Sequence, residues 1–339
     1  MKVAIITITK SAQSLALNLK NALDGDPTVF NVDIFNKNVK KTLESIFSEY
    51  DCIIGIMAAG IMVRNICDLI RNKTEDPAIL VIDDAGKYVI SLLSGHFGGA
   101  NEIAKKIAEI MDAYPVITTA TDIHGKMGMD SLARKYYLDI DNFKKIKTLN
   151  SALVNDNRLD IYVPSKFSFI FDNPLVKNSY NGYESINNEF KISFKDTEIV
   201  LKPRKFVVGI GARKDISKEN VENAIKKAMN IINLPIQRID AISTGEMKKN
   251  EIGVIETASN LHVPLEVISV SKLKSFDDPN CSKSLFVKEK FGVSGVCEPS
   301  ALIAAGENSK MIFKKTAFNG VTVAIAVSST DLNKSNNRQ

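Results

Sequence analysis

Apolar runs alternate with amphipathic stretches in the first third of the chain. Residues 1–50 have the pattern of strand, helix, strand and helix, and the continuous apolar run of residues 51–57 predicts a strand buried on both faces of a sheet. Ala78–Ile82 and Tyr88–Leu93 predict two more strands, which the turn sequence Asp83–Gly86 would join as a hairpin. Strands that alternate with helices in this way are typical of a doubly wound α/β domain.

The segment Ser94–Asn101, with the sequence Ser-Gly-His-Phe-Gly-Gly-Ala-Asn, follows the last of these strands. After it, apolar residues spaced three and four apart from Ala100 to Met111 predict an amphipathic helix. Glycine lets a ligand approach the backbone closely, and a helix start offers unpaired N–H groups. A tight strand-to-helix connection would explain one or two glycines. Three glycines with His96 among them favour a ligand site.

The run Pro115–Asp122 predicts a further strand, ending in threonine hydroxyls and a carboxylate. Doubly wound folds bind ligands in the loops after such strand ends, although Asp122 can equally be a helix cap. Residues 123–203 differ in character, because Asp, Asn and Lys are frequent there. We interpret them as a smaller middle module or linker with short strands at Leu159–Val163, Phe167–Phe171 and Ile199–Leu201.

A second α/β pattern begins at Lys205. Phe206–Gly211 predicts a strand that runs into a glycine turn, and the helix behind it is amphipathic from Val221 to Ile232. We therefore predict an α/β protein with two doubly wound, Rossmann-like lobes and a smaller middle module. The predicted parts are an N-terminal α/β domain at 1–122, the middle module at 123–203, a C-terminal α/β domain at 204–330 and a polar tail at 331–339.

Composition narrows the class of protein. A chain of 339 residues, 45% hydrophobic and 24% charged, fits a globular protein with more than one core. No apolar run approaches the roughly 18 residues of a membrane span, and the first run is too short for a signal peptide. We therefore expect a cytoplasmic protein that does not enter a membrane. Four cysteines without a C-x-x-C pair and three histidines without zinc spacing predict neither disulfides nor a resident metal.

The net charge of +5 is modest and its lysines are scattered. Because the two small lysine clusters are not interleaved with aromatic residues, nucleic-acid binding is not predicted. A mild positive excess suits an anionic small molecule instead.

The glycines of the second lobe give a weak dinucleotide signal. Gly209 and Gly211 form only a G-x-G, because Lys214 stands where the third glycine of the nicotinamide fingerprint would be. Arg213 follows at the predicted helix start, where the helix dipole and the guanidinium both favour a carboxylate or phosphate. On spacing alone, a solvated surface arginine remains equally open.

The remaining polar motifs each have a structural alternative. Lys248 and Glu251 can form a helix-surface ion pair, and Glu298 can be a carboxylate favoured by the dipole at a helix start. Ser94, His96 and Asp122 suggest a Ser-His-Asp triad, but the first two are too close in one turn and no G-x-S-x-G sequence is present.

Taken together, the motifs resemble the CbiG family over nearly the whole chain, and they occur in the same order. The C-terminal lobe also resembles CobE proteins, whereas residues 140–200 match poorly. The segments that carry the resemblance are Gly60–Arg64, Val89–Asn101, Pro115–Asp122, Val208–Arg213, Lys248–Gly253 and Val293–Glu298.

The resemblance implies a cobalt-precorrin-5A hydrolase of anaerobic cobalamin biosynthesis. Such an enzyme opens the lactone of a ring-contracted cobalt macrocycle and releases acetaldehyde, giving cobalt-precorrin-5B. No cofactor is expected, because the substrate carries the cobalt, and neighbouring pathway enzymes are candidate partners besides the anionic cobalt-tetrapyrrole. Two alternatives stay open: a non-catalytic tetrapyrrole-binding or chaperone protein of the same pathway, and a nicotinamide-dependent oxidoreductase.

The resemblance also implies roles for individual residues. His96 and Asp122 are the expected catalytic residues, with the amides around Gly98 and Gly99 stabilising an oxyanion. The residues expected to bind substrate are Gly60, Arg64, Ser94, Gly95, Gly98, Gly99, Asn101, Thr118, Thr119, Thr121, Gly209, Gly211, Arg213, Lys248, Glu251, Ser294, Gly295 and Glu298.

Overall fold

A computed structural model describes residues 1–73 and 75–329, which form two compact units. The N-terminal unit contains Met1–Arg134 with Ile146–Leu159, and the C-terminal unit contains Lys135–Lys145 with the described residues from Asp160 onward. The predicted tail at 331–339 lies outside the described residues, and the predicted domain boundaries stay a prediction. Within the described ranges, no helix is long and apolar enough to cross a bilayer.

A six-stranded sheet with the order β2-β1-β3-β4-β5-β6 forms the centre of the N-terminal unit. Strands β1 to β4 run parallel, whereas β4 and β5 pair antiparallel and confirm the predicted hairpin. The strands are β1 Lys2–Thr7, β2 Asn31–Asn36, β3 Cys52–Ile56, β4 Ala78–Ile82, β5 Tyr88–Leu93 and β6 Tyr114–Val116.

Helices cover both faces of this sheet, which confirms the α/β class predicted for the lobe. Successive residues of a strand point to opposite faces, so Val3 and Ile5 pack with α1 and α4 while Ala4 and Ile6 pack with α2 and α3. The helices are α1 Lys10–Asp24, α2 Val39–Ile46, α3 Ala59–Ile66, α4 Ala100–Met111, α5 Ala120–Ile123 and α6 Met129–Tyr136.

The strand predicted over Pro115–Asp122 is wrong for most of its length. Strand β6 ends at Val116, and Asp122 lies instead in the short helix α5. Thr119 is the residue before this helix, in an extended conformation, and its hydroxyl donates to the carboxylate of Asp122 at 2.7 Å. Threonine and aspartate commonly make local side-chain contacts of this kind at helix starts. These contacts replace the predicted continuation of the strand.

A second sheet, of five strands in the order β7-β11-β10-β8-β9, occupies the segment predicted as a middle module. The strand predicted at Phe167–Phe171 is wrong, because a 3₁₀ helix spans Ser165–Asp172. Phe167 and Ile170 are its buried residues, and their spacing of three matches the three residues per turn of a 3₁₀ helix. The elements are β7 Leu138–Ile140, α7 Phe143–Val154, β8 Leu159–Val163, α8 Pro174–Ser179, β9 Tyr180–Glu184, β10 Phe190–Phe194 and β11 Thr197–Pro203.

A third sheet has the order β14-β13-β12-β16-β15, parallel from β12 to β14 and antiparallel among β12, β16 and β15. Its strands and helices confirm an α/β pattern in the C-terminal part of the chain. They are β12 Phe206–Ala212, α9 Lys218–Ile231, β13 Ala241–Gly245, α10 Ile252–Asn260, β14 Leu265–Ile268, α11 Val270–Ser275, α12 Leu285–Phe291, α13 Cys297–Ala305, β15 Lys310–Phe318 and β16 Val321–Val327.

A fully buried arginine joins the second and third sheets of the C-terminal unit. The guanidinium of Arg238 lies between the rings of Phe167 and Phe206, 5.4 and 5.0 Å from their centroids. It donates to Asp240 Oδ2 at 2.7 Å and to three backbone carbonyl oxygens, those of Tyr136, Tyr137 and Arg204. A buried cation is tolerated when it is paired and hydrogen-bonded in this way.

We expect the substitution Arg238→Met to destabilise the C-terminal unit strongly. Methionine keeps much of the volume but leaves Asp240 without its partner and three carbonyls without a donor, which should lower the free energy of unfolding by about 3–5 kcal/mol. Urea unfolding followed by circular dichroism measures this. The matched control is Arg71→Met at an exposed arginine, which should change stability by less than about 0.5 kcal/mol. Equal urea midpoints for both variants would contradict the structural role.

Candidate active site

The glycine turn, residues 94–99, connects β5 to α4 and holds a fixed shape. Ser94 and Gly99 have positive φ angles of 57° and 82°. A Cβ at Gly98 would lie 2.5 Å from the Cβ of Ser94, so only glycine fits there. Two backbone hydrogen bonds also close this turn. The amide of Ala100 donates to the carbonyl oxygen of Ser94, and the amide of Asn101 donates to that of Gly95, both at 3.1 Å.

His96 projects from this turn between two carboxylates. Its Nε2 lies 2.9 Å from Asp122 Oδ2 and 3.2 Å from Thr121 Oγ1, and its Nδ1 lies 3.1 Å from Asp130 Oδ2. The imidazole side chain is 16% exposed. The structure therefore brings together the two predicted catalytic residues, His96 and Asp122, and adds Asp130 on the other side of the ring.

Asp122 is the centre of a polar network on the Nε2 side. Its Oδ2 accepts hydrogen bonds from Thr119 Oγ1 at 2.7 Å and from the Asn101 amide at 3.0 Å. Asn101 is buried, and its own Oδ1 accepts from Ser91 Oγ at 2.7 Å. The Lys105 ammonium lies 3.6 Å from Asp122 Oδ1. Asn101 and Thr119, both predicted to bind substrate, thus orient this carboxylate.

These contacts set the charge of His96. Burial alone lowers the pKa of His96, but the hydrogen bonds and charges of Asp122 and Asp130 outweigh it and raise that pKa to about 9. For Asp122, burial raises the pKa, and the contacts with His96, Thr119 and Lys105 outweigh it and lower the pKa to about 2. At neutral pH the site is therefore an imidazolium between two carboxylates.

The amides of Gly98 and Gly99 come two and three residues after His96, before the first turn of α4. Within the described ranges, neither amide donates to another residue. The buried Ser94 Oγ likewise makes no hydrogen bond there. The guanidinium of Arg134 lies against Gly99, where a Cβ would come within 1.9 Å of Cζ. Sequence reasoning did not single out this arginine.

Other residues predicted to bind substrate in this unit lie outside the His96 network. Gly60 lies in the first turn of α3 and Arg64 in its last turn, where Arg64 Nη1 donates to the Gly60 carbonyl at 3.3 Å and the side chain is otherwise exposed. Thr118 is exposed between β6 and α5. Gly95 is different, because a Cβ there would lie 2.7 Å from Asn101 Oδ1, so its lack of a side chain makes room for the network.

In the C-terminal unit, the predicted residues near the end of β12 have varied surroundings. A Cβ at Gly209 would lie 2.0 Å from the carbonyl oxygen of Cys297, so this glycine allows α13 to pack on the strand. The Gly211 carbonyl accepts from Thr322 Oγ1 at 3.1 Å. Arg213 is exposed, and its side chain lies along Gly320. A role in substrate binding stays a prediction for these residues.

Lys248 and Glu251 form the ion pair considered as the structural alternative, at 2.8 Å. The second oxygen of Glu251 accepts from the Asp215 amide at 2.9 Å, so the pair also holds the turn after β12. Burial raises the pKa of Glu251, and the contacts with Lys248 and Asp215 outweigh it and lower the pKa.

Glu298 is buried at the start of α13. Its carboxylate accepts from the amide and hydroxyl of Ser282, at 2.7 and 2.6 Å, and from the Lys315 amide at 2.9 Å. Ser294 is exposed and Gly295 is buried just before that helix. Roles for these residues toward a substrate also stay predictions.

Two family models match the chain, the first within the N-terminal α/β pattern and the second within the C-terminal one. The model described as "Cobalamin synthesis G N-terminal" matches residues 41–122, and the one described as "Cobalamin synthesis G C-terminus" matches residues 206–326. The first match includes both His96 and Asp122, whereas Asp130 lies beyond it.

The chain is also similar to curated proteins and to a solved structure over nearly its full length. It is 33% identical to the "Probable cobalt-precorrin-5A hydrolase" of Methanocaldococcus jannaschii, covering 96% of this chain and 99% of that protein. It is 28% identical to the "Cobalt-precorrin-5A hydrolase" of Priestia megaterium, covering 96% and 94%. The structure of a cobalamin biosynthesis protein G homolog from Sulfolobus solfataricus aligns with a TM-score of 0.58 at 28% identity and covers 97% of each chain.

A smaller solved structure is similar to part of the chain. CobE, described as a protein from the cobalamin (vitamin B12) biosynthetic pathway, is 22% identical and covers 38% of this chain and 93% of its own. Its TM-score of 0.36 is too low to support a structural comparison.

The charged His96 gives the N-terminal unit a specific dependence of stability on pH. The pKa of His96 is about 9 in the folded chain and about 6.5 when unfolded. The stabilisation by His96 is therefore complete below about pH 6.5. As the pH rises toward 9 it is lost, and the free energy of unfolding falls by about 3 kcal/mol. Urea unfolding at pH 6 and pH 9 should show this loss, and His96→Gln should remove it. The control His124→Gln, at an exposed histidine, should keep it, and a parent chain equally stable at both pH values would contradict the assignment.

Proposed function

The chain belongs to the CbiG family of cobalt-precorrin-5A hydrolases, and we propose that it opens the lactone of the ring-contracted cobalt macrocycle and releases the extruded two-carbon fragment as acetaldehyde. The product would be cobalt-precorrin-5B. The observation that carries this chemistry is the His96 imidazolium held between Asp122 and Asp130 beside the start of α4. Lactone opening needs a proton donor and donors for an oxyanion, and acetaldehyde release then needs a proton acceptor.

In the first step, water adds to the lactone carbonyl and the bond from that carbonyl carbon to the ring oxygen of the lactone breaks. His96 donates the Nε2 proton to the leaving oxygen. Nε2 is the nitrogen that meets substrate, because its partner Asp122 is 22% exposed whereas the Asp130 side chain is 7% exposed. As the imidazolium loses its charge, Asp122 becomes a better base and takes the proton of the attacking water. The amides of Gly98 and Gly99 stabilise the tetrahedral oxyanion.

In the second step, the neutral His96 takes back a proton from the hydroxyl that the first step released. The C–O bond of that hydroxyl becomes the carbonyl of acetaldehyde, and the bond between this carbon and the macrocycle breaks. The conjugated macrocycle accepts the electron pair of the broken bond. His96 thus acts first as an acid and then as a base and ends in its starting charge state, while Asp122 releases the proton of the attacking water to solvent and becomes a carboxylate again.

The substrate is fringed with acetate and propionate carboxylates, and we propose that exposed arginines bind them. Arg64 in the last turn of α3 and Arg213 after β12 present guanidinium groups to solvent. Guanidinium groups match carboxylates with two parallel hydrogen bonds.

A direct assay for acetaldehyde tests the reaction and the role of His96. Parent protein mixed with the substrate, with no added nucleotide, should release acetaldehyde in a single turnover. His96→Gln should lower the turnover rate by about 10²–10⁴ with little change in half-saturation, because it removes an acid–base group and not a binding contact. Asp122→Asn should lower the rate in the same way.

The control for this experiment is His124→Gln, which should keep the parent rate, with circular dichroism confirming that all variants fold. Binding of substrate by the parent without acetaldehyde would favour the chaperone alternative. Rates within about threefold of the parent in folded His96→Gln would remove His96 from the chemistry.

The half-saturation concentration of the substrate tests whether Arg64 and Arg213 bind its carboxylates. Arg64→Ala and Arg213→Ala should each raise the half-saturation concentration about ten- to a hundredfold, since a charge-assisted contact contributes roughly 1.5–3 kcal/mol. Added salt should weaken binding by the parent. Arg71→Ala, at another exposed arginine, is the matched control. Unchanged values for both Arg64→Ala and Arg213→Ala would show that these guanidinium groups only face solvent.

A further inference from the structure

Asp130 lies outside the sequence motifs and outside the segment that the N-terminal family model matches. It lies in the first turn of α6, and its side chain is only 7% exposed. Oδ2 contacts His96 Nδ1 at 3.1 Å, while Oδ1 accepts from the Asn150 amide and from the backbone amide of Ser131, both at 3.1 Å. Because its oxygens already make hydrogen bonds with these groups, Asp130 is poorly placed to contact a substrate itself.

A second layer of contacts fixes the position of this carboxylate. Asn150 Oδ1 accepts from the backbone amide of Met129 at 2.9 Å, so the Asn150 side chain is held at both ends of its amide group. A Cβ at Gly128 would lie 2.8 Å from Asp130 Oδ1 and 3.3 Å from the Asn150 amide. Only glycine fits against this pair without displacing it, and the carboxylate is therefore rigid.

We propose that Asp130 is a positioning residue, which binds the Nδ1–H of His96 and thereby directs Nε2–H toward Asp122 and the approaching substrate. This inference rests on the proposed function, in which Nε2 gives up and regains a proton. The two carboxylates then have separate tasks. Asp122, the more exposed one, takes part in the reaction, and Asp130 keeps the ring in one orientation and one tautomer while Nε2 changes its charge.

The charges around His96 come from several elements. Asp122 faces it from α5 and Asp130 from α6, while Lys105 of α4 contacts Asp122 at 3.6 Å. The guanidinium of Arg134 lies against the glycine turn. The hydrogen bonds and charges of both carboxylates favour the imidazolium against the effect of burial. Loss of the Asp130 charge should therefore lower the pKa of His96 and leave its ring free to turn.

The test compares Asp130→Asn with the double variant Asp130→Asn/Asn150→Asp. In the double variant, the new amide can donate to the new carboxylate and still accept from His96 Nδ1–H. The hydrogen bonds to His96 and to residue 150 therefore remain while the charge moves away from the ring, and only the one from the Ser131 backbone amide is lost. Asp156→Asn removes an exposed carboxylate of the same unit and is the matched control. The chain has only three histidines, so ¹H–¹⁵N spectra of the imidazole groups, assigned with His96→Gln, report the pKa and tautomer of His96.

We expect the pKa of His96 to fall by about one to three pH units in Asp130→Asn, with a smaller fall in the double variant and none in Asp156→Asn. The alkaline limb of the rate of acetaldehyde release should move down by the same amount as the pKa. At pH 8 the turnover rate should fall by about twofold for a one-unit fall in pKa and by about a hundredfold for a three-unit fall, with half-saturation within about threefold of the parent. A residue with a purely structural role would not move the pH profile in step with the imidazole.

Two results would overturn the inference. One is an unchanged pKa and tautomer of His96 in folded Asp130→Asn. The other is a pKa that falls while the pH profile of acetaldehyde release stays in place. Should the parent chain release no acetaldehyde, the proposed function fails instead, and the titration of His96 alone then decides whether Asp130 holds the ring.

Discussion

The N-terminal unit depends on one interaction, a protonated imidazole paired with two carboxylates. His96 belongs to the glycine turn, Asp122 to α5 and Asp130 to α6, so three segments that are separate in sequence meet at one ring. Removing one partner from a buried set of charges leaves the others unpaired, which is strongly unfavourable. The contacts that join the glycine turn to α5 and α6 are therefore the same contacts that give His96 its charge, so the stability of this unit and its proposed chemistry depend on the same groups.

The C-terminal unit also contains a buried cation, but the surroundings of this cation suit a structural role. Arg238 is fully buried and donates four hydrogen bonds, to Asp240 and to three backbone carbonyls, so it cannot reach a substrate in solvent. A guanidinium also keeps its proton throughout the ordinary pH range. His96 differs in both respects, since its ring is partly exposed and its proton can be exchanged. Burial of a charge alone thus does not indicate a catalytic group, whereas partial burial with an exchangeable proton and a more exposed partner is what the proposed role of His96 requires.

Features that depend on residues close together in the sequence could be predicted from it. The β4–β5 hairpin and helix α4 follow from a turn sequence and an apolar period, and both are present. His96 and Asp122 were both predicted as catalytic residues, and the structure places them in contact, although the predicted strand that ended in Asp122 was wrong. Asp130 could not be found this way, because it lies 34 residues from His96 in a segment without a motif. A buried Arg238 contradicts the usual exposure of arginine, and only its aromatic and carbonyl neighbours explain it.

The two glycine-containing turns that look alike in sequence have different physical causes. Gly98 is required because Ser94 approaches it from within the same turn, and Gly99 because of its positive φ and the guanidinium against it. Gly209 is required because the first residue of α13 lies on the strand, which is a matter of packing. A glycine cluster therefore predicts close approach but not what approaches. In the N-terminal unit, the titratable His96 lies inside the turn, with two carboxylates to control its proton, and this is the arrangement on which the proposed chemistry rests. Among the described residues, no histidine lies in the turn that follows Gly209, and a guanidinium such as that of Arg213 keeps its proton throughout the ordinary pH range, so it suits binding an anion better than transferring a proton.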